Sequence, residues 1–322
     1  MQLARYALAA AMVAVDSVSA VAQKPDSSGY ITTSDGARLY YEIYGKARDT
    51  VIVPGAALVA SSLSPLQSEL TLVFYDPRGR GRSDWIPESK RLTMDNEVAD
   101  LEAIREALKI SKVGIVGFSY LGLVTALYAT EYPARVTRLA QLSPMEPNQE
   151  TAARYAPAER KLRSDSAAAR LARARAAASD TSDFVAECKR WYAAYLPMYV
   201  GDTAFASQVS TEYCAHENET PKRFLWRNQQ VIRSIGRRWD YTDRAKNIKV
   251  PTLVIQGDRD FAVSPDGGRR WAEIIPDARL IMLSGAGHLA YAERGDRVLP
   301  ALSRFFAGRW PPEAMQLRTT RQ

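Results

Sequence analysis

The stretch "KVGIVGFSYLGLVTALYATEYP", residues 112–133, joins two patterns. Val113 to Val116 is a mostly apolar run, as carried by a strand buried on both faces. From Tyr120 onward the apolar residues fall at helical spacing. Gly117 and Ser119 lie at the seam, so the pattern predicts a strand that delivers Ser119 onto a sharp turn at the mouth of a helix. Strand and helix nearly collide at such a turn, which calls for small residues on both sides of the serine. Gly117 meets that demand. On the other side stands Leu121, and Gly122 comes one place late. A serine here also has a plain structural use, its hydroxyl capping the helix.

Outward from this segment the same alternation repeats. "GYITTSDGARLYYEIYG" reads as a hairpin around Ser34-Asp35-Gly36. "TVIVP" and "LTLVFY" are short apolar strands, the second running into the Gly- and Arg-rich "DPRGRGRSD". Residues 95–109 have helical spacing, and "RVTRLAQLSP" is a further strand. Strand signals return at "VPTLVIQGDRD" and "ARLIMLSGAGH", followed by the helical patterns "GGRRWAEII" and "RVLPALSRFF". Apolar strands alternating with amphipathic helices predict an α/β fold, a mostly parallel central sheet flanked by helices. Residues 147–240 are rich in Ala, Arg, Tyr and Trp, without a clear buried strand; they read as a helical cap inserted over one sheet edge. The expected organisation is a leader over 1–22, core over 23–146, cap over 147–240, core over 241–310 and a tail over 311–322.

Ligands of open parallel sheets sit outside the carboxyl ends of the strands, and four strand ends here carry unusual residues. Gly55-Ala56 follows "TVIVP", Ser119 follows "VGIVGF", Asp260 follows "TLVIQGDR" and His288 follows "LIMLSGAG". A serine hydroxyl becomes a nucleophile when a histidine takes its proton. The histidine needs a carboxylate on its other nitrogen to fix the tautomer and stabilise the imidazolium. The oxyanion then formed needs backbone N–H donors, for which Ala56 and Tyr120 are placed. His216, in "CAHENET", is the other histidine of the chain, so His288 is the candidate base. Asp258 and Asp260 compete for the acid role.

Together, "GFSYLG", "YDPRGRGRSD", "GDRDFAVSP" and "GAGHLAYAE" make the chain from about Gly29 to Arg309 resemble an α/β-hydrolase-fold serine hydrolase with an inserted cap, in its proline-iminopeptidase-like and esterase-like branch. The resemblance implies a Ser119–His288–Asp260 triad, with Asp260 favoured by its spacing from the preceding glycine and Asp258 as a turn residue. It implies an acyl-enzyme route on a small-molecule ester or amide, with no cofactor and no metal. Asp76, Arg78, Arg82 and Glu293 read as loop braces. The cap aromatics Trp191, Tyr192, Tyr195, Tyr199, Tyr213 and Trp226 are expected to shape the acyl or leaving-group pocket, with Trp191, Tyr195 and Trp226 the candidates for substrate contact. An aminopeptidase acting on short peptides would bind a free amino terminus through cap carboxylates such as Glu187, Glu212, Glu217 or Glu219. A carbon–carbon hydrolase, a perhydrolase and a non-catalytic binding protein share the scaffold. A dehalogenase or epoxide hydrolase would carry aspartate at position 119.

Residues 1–22 have Arg5, a ten-residue apolar run from Tyr6 to Val15 and a small-residue ending "AVA", the layout of a secretory leader. The expected location is therefore periplasmic or secreted. In an oxidising compartment Cys188 and Cys214, the two cysteines of the chain, would pair. An apolar run of ten is too short to span a bilayer, which takes ~20 residues. The net charge is +7, with seven basic residues between positions 153 and 178 reading as a solvated helix face. No basic stripe with interleaved aromatics appears, which argues against a nucleic-acid partner.

Overall fold

The computed structural model describes residues 24–155, 157–178 and 182–317; the expected leader lies outside them. Eight strands form one sheet: β1 (Ser27–Thr32), β2 (Arg38–Tyr44), β3 (Thr50–Pro54), β4 (Thr71–Tyr75), β5 (Val113–Phe118), β6 (Val136–Leu142), β7 (Thr252–Gly257) and β8 (Ala278–Leu283). Their order is β1-β2-β4-β3-β5-β6-β7-β8. β1 and β2 form the hairpin and β2 runs antiparallel to β4; every other pairing is parallel.

The helices are α1 (Ala56–Leu63), α2 (Met94–Ala107), α3 (Tyr120–Glu131), α4 (Gln149–Arg154), α5 (Ala158–Ala176), α6 (Phe184–Tyr195), α7 (Pro221–Ser234), α8 (Thr242–Ala245), α9 (Pro265–Ile274), α10 (Ala290–Glu293) and α11 (Gly295–Phe306). The apolar strand runs arise because both faces are covered. Val51, Leu72, Phe74, Leu253 and Ile255 join one buried cluster with α1 and α11. Ile52, Val73, Tyr75 and Val254 join the other, with α2, α3 and α9. Cap residues Leu171, Trp191 and Tyr192 belong to the first cluster, so the cap's own core continues into that face of the sheet.

α4 to α7 and the short 3₁₀ turns among them lie between β6 and β7. The neck of this insertion is an isolated bridge between Asn148 and Asp240. It is reinforced by Gln149 N–H to the Trp239 carbonyl (3.0 Å) and Tyr241 N–H to the Pro147 carbonyl (2.9 Å). Beyond α11 the chain returns to the sheet, where Met315 exchanges backbone hydrogen bonds with Leu280 of β8. No helix among the described residues is long and apolar enough to cross a membrane.

Candidate active site

The turn after β5 holds Ser119 at φ 57° and ψ −129°, a conformation rare for a side-chain-bearing residue. Its backbone is pinned on both sides. Ser119 N–H donates to the Leu142 carbonyl of β6 (3.1 Å), and its carbonyl accepts from Gly122 and Met145 N–H (2.9 Å each). The Ser119 side chain makes no helix-capping hydrogen bond. Its Oγ instead stands 3.0 Å from His288 Nε2.

The crowding foreseen at this turn is present and is met in an unexpected way. A Cβ at Gly117 would come within 2.7 Å of both the Gly122 Cα and the Leu121 carbonyl oxygen. Gly122 therefore takes the close approach to the strand, one place later than expected. The Leu121 side chain is 1 % exposed and packs against Gly55 at the end of β3. Space for Leu121 is thus made by a glycine 66 positions away in the chain.

His288 Nδ1 stands 2.8 Å from Asp260 Oδ2. Asp260 is fully buried, and an isolated buried carboxylate is costly. Three further donors meet it: the Gln256 amide at Oδ2 (2.9 Å), and Ala262 and Val263 N–H at Oδ1 (2.9 and 3.0 Å). Asp258 is exposed and points elsewhere, accepting from Gly285 N–H at 2.7 Å. Ala56 and Tyr120 are each the first residue of a helix, α1 and α3, where backbone N–H groups lack intrahelical acceptors. The Tyr120 hydroxyl accepts from Arg227, a fully buried arginine of α7 that also pairs with Glu97 and donates to the Arg78 carbonyl (3.0 Å).

The loop after β4 is braced by its charged residues. Arg78 bonds Asp100 and Asp35, Arg82 pairs with Glu42, and Asp76 accepts from Arg82 N–H. It is also clamped by the cap. Arg80 makes a two-pronged, buried ion pair with Glu219 (2.8 Å each), and the Asn218 amide donates to the Gly81 and Ser83 carbonyls. Cys188 of α6 and Cys214 form a disulfide with Cα atoms 5.5 Å apart.

The three cap rings put forward for substrate contact pack against other aromatic rings. Trp191 stacks on Tyr195 at 4.8 Å and Trp226 lies 5.2 Å from Trp85. The rings beside His288 are Phe118 (4.8 Å) and Tyr199 (5.7 Å). Tyr155 of the cap donates its hydroxyl to the Asp260 carbonyl, and burial, aided by the Asp260 charge, pushes its phenol up to about 12. Glu146, just past β6, accepts from Ser264 N–H (2.6 Å), and burial raises its carboxyl above the usual range. Tyr199 is one of the cap aromatics named from the sequence, whereas sequence reasoning passed over Gln256. The signal for Gln256 was an amide inside the apolar strand "TLVIQG", where a buried polar group needs a partner.

His216 borders an open cavity of about 440 Å³ together with Trp85, Phe184 and Arg223, and Ser119, Asp260 and His288 do not line it. No cluster of three or more His, Cys, Asp or Glu residues suited to a metal ion occurs among the described residues.

The sequence matches the family described as alpha/beta hydrolase fold over residues 53–295. It is 24% identical over 291 residues to a cis-3-alkyl-4-alkyloxetan-2-one decarboxylase of Shewanella oneidensis, covering 86% of this chain and 87% of the relative. It is 24% identical to the proline iminopeptidase PfmaB of Pestalotiopsis fici, covering 82% and 94%. Among solved structures the enol-lactonase of Burkholderia xenovorans LB400 is similar, with a TM-score of 0.65, 24% identity and coverage of 87% of this chain and 100% of that one.

Proposed function

The chain belongs to the alpha/beta hydrolase fold family, and on that premise we propose that it is an exported serine hydrolase that cleaves a small-molecule ester through an acyl-enzyme. The observation that carries this reading is the Ser119 hydroxyl, held on a strained turn and aimed at His288 Nε2 while Asp260 takes Nδ1.

The chemistry follows from that line of groups. His288 takes the Ser119 proton as Oγ attacks the substrate carbonyl carbon. The oxyanion is held by Ala56 and Tyr120 N–H. His288 passes its proton to the leaving alkoxide, the carbon–oxygen bond breaks, and the acyl group stays on Ser119. Water then attacks the acyl carbon as His288 takes its proton, the bond to Oγ breaks, His288 returns the proton to Oγ, and the acid departs. Asp260 keeps the imidazole in one tautomer and offsets its positive charge in the protonated stages.

Hydrolysis of a short peptide is the second reading, favoured by the likeness to a proline iminopeptidase. The cap carboxylates weigh against it. Glu219 is committed to Arg80, Glu187 to Arg175 and Arg190, and Glu217 to Arg223. An amino terminus would have to displace one of these pairs or use exposed Glu212. Export is supported by the leader-like residues 1–22 and by the cap disulfide, a bond typical of oxidising compartments.

The test has two arms. A fluorophosphonate probe should label the wild type and not Ser119→Ala, whereas a binding protein on this scaffold would not be labelled at all. A panel of aryl esters beside aminoacyl-arylamides should show faster ester turnover; preference for the arylamides would move the assignment to the peptidase reading.

A further inference from the structure

The residues on both sides of His288 are tied to the cap rather than to the sheet alone. Leu289 N–H donates to the Tyr199 carbonyl (2.9 Å). Gly287 N–H donates to Glu293 Oε2 (2.7 Å), while the other oxygen of the same carboxylate accepts from Gly201 (2.8 Å) and Asp202 (3.2 Å) N–H. Glu293 therefore bridges the histidine loop and the cap segment 199–202 with three backbone donors. The two backbones pack closely. A Cβ at Gly201 would strike the Gly285 carbonyl, and one at Gly287 would lie 2.7 Å from the Val200 Cα.

The far side of that cap segment is held by one arginine. Arg163 of α5 donates to the carbonyls of Pro197 (2.8 Å), Val200 (2.7 Å) and Gly201 (3.3 Å). Its guanidinium lies 4.2 Å over the Phe261 ring, next in the chain to Asp260. The Tyr199 ring, from the same segment, stands 5.7 Å from the His288 ring.

We propose that Glu293 is a positioning residue for His288, and that through it the seating of cap segment 199–202 sets the reach of the imidazole toward Ser119. The proposal rests on the reading of His288 as the base. The carboxylate is needed for a stated reason. Both of its oxygens face donors, and an amide in its place would turn an N–H₂ toward one of the two loops. With the carboxylate's bonds to one side lost, the histidine loop and the cap segment keep the Leu289–Tyr199 bond and their packing but are held less firmly in register. The base then meets Ser119 only in part of the population. A displacement of ~1 Å at such a site costs up to about 100-fold in rate.

The experiment is Glu293→Gln, read in two ways. With only His216 and His288 in the chain, ¹⁵N-histidine NMR reports the His288 Nδ1 proton bound to Asp260, with His216→Ala identifying the second set of signals. In E293Q this proton should exchange with water faster, while the melting temperature shows the protein folded. In steady-state assays kcat should fall about 10- to 100-fold with KM changed far less, and probe labelling of Ser119 should slow in step. If E293Q does not fold, Arg163→Lys, which frees the same segment from its other side, is read identically. An unchanged His288 proton, or kcat within twofold of wild type in a folded variant, would overturn the proposal. A wild type that the probe does not label, with a His288 proton that still responds to E293Q, would remove the hydrolase reading and leave the positioning role standing.

Discussion

At Ser119 the backbone sits in a region that costs a side-chain-bearing residue of order 1–3 kcal/mol. The cost is met by bonds to β6 and α3, and its result is a hydroxyl that faces His288 instead of capping α3. Ser119→Ala should lower kcat by about 10⁶, as with other serine nucleophiles, and leave the melting temperature nearly unchanged. The acid role is tested by a pair of variants. Asp260→Asn should cost about 10⁴ in kcat, because the amide favours the wrong histidine tautomer. Asp258→Asn should cost much less, since that side chain serves only the Gly285 turn. A larger loss from Asp258→Asn than from Asp260→Asn in the same turnover assay would reverse the assignment.

At the scale of elements, buried charge adds to the apolar packing that joins the cap to the core. The Arg80–Glu219 pair is 4 % and 0 % exposed, and Glu219 also accepts from Gly81 N–H at 2.8 Å. Removing one partner of such a pair strands the other charge away from water. Glu219→Ala should therefore destabilise by about 3–5 kcal/mol in denaturant unfolding. Replacing Arg80 and Glu219 together with apolar residues should cost less than the single change. The disulfide acts on the same fastening. It joins α6 to the turn that precedes Asn218 and Glu219, and the Cys188 sulfur rests 3.4 Å from the Glu219 carbonyl oxygen. Its sequence separation is 26 residues, for which chain entropy predicts roughly 3 kcal/mol of stabilisation. Mild reduction should raise KM before it lowers the melting temperature of the sheet, measured by parallel kinetics and calorimetry.

Across the whole molecule, the parallel strands β3, β5, β7 and β8 bring Gly55, Ser119, Asp260 and His288 to one edge of the sheet, beneath the cap. The hairpin at the other end of the strand order is tied to this body by Asp35. Burial alone would raise the Asp35 carboxyl, but hydrogen bonds from Arg78, Thr33 and Arg91 outweigh it and hold it well below the usual carboxylate range. The unfolded chain therefore binds this proton first as pH falls. The stability Asp35 contributes is fully present above its unfolded value of about 3.9 and drains away as pH drops toward the lower folded value. Asp35→Asn should be less stable than wild type at pH 7, and the gap between the two thermal melts should narrow steadily below pH 4. A gap that stayed constant with pH would assign the effect to packing instead of charge.

The amino-acid sequence makes legible the strands, most of the core helices, and the order serine, aspartate, histidine along the chain. Those features are local: burial on two faces writes continuous apolar runs, and burial on one helix face writes a 3.6-residue period. It also narrowed the acid to two aspartates standing two residues apart. Of the two, Asp260, the one favoured from the sequence, stands against His288 in the folded chain, a contact that spans 28 residues and depends on how two loops close. The same holds for Leu121, whose room comes from Gly55 just past the end of β3, and for Trp191, whose ring stacks on Tyr195 within the cap. It holds again for Glu293, expected as a brace and found joining cap to histidine loop. Periodic burial is encoded where it acts, whereas the partner of a polar group is set by segments far apart in the chain that pack only once the fold has formed.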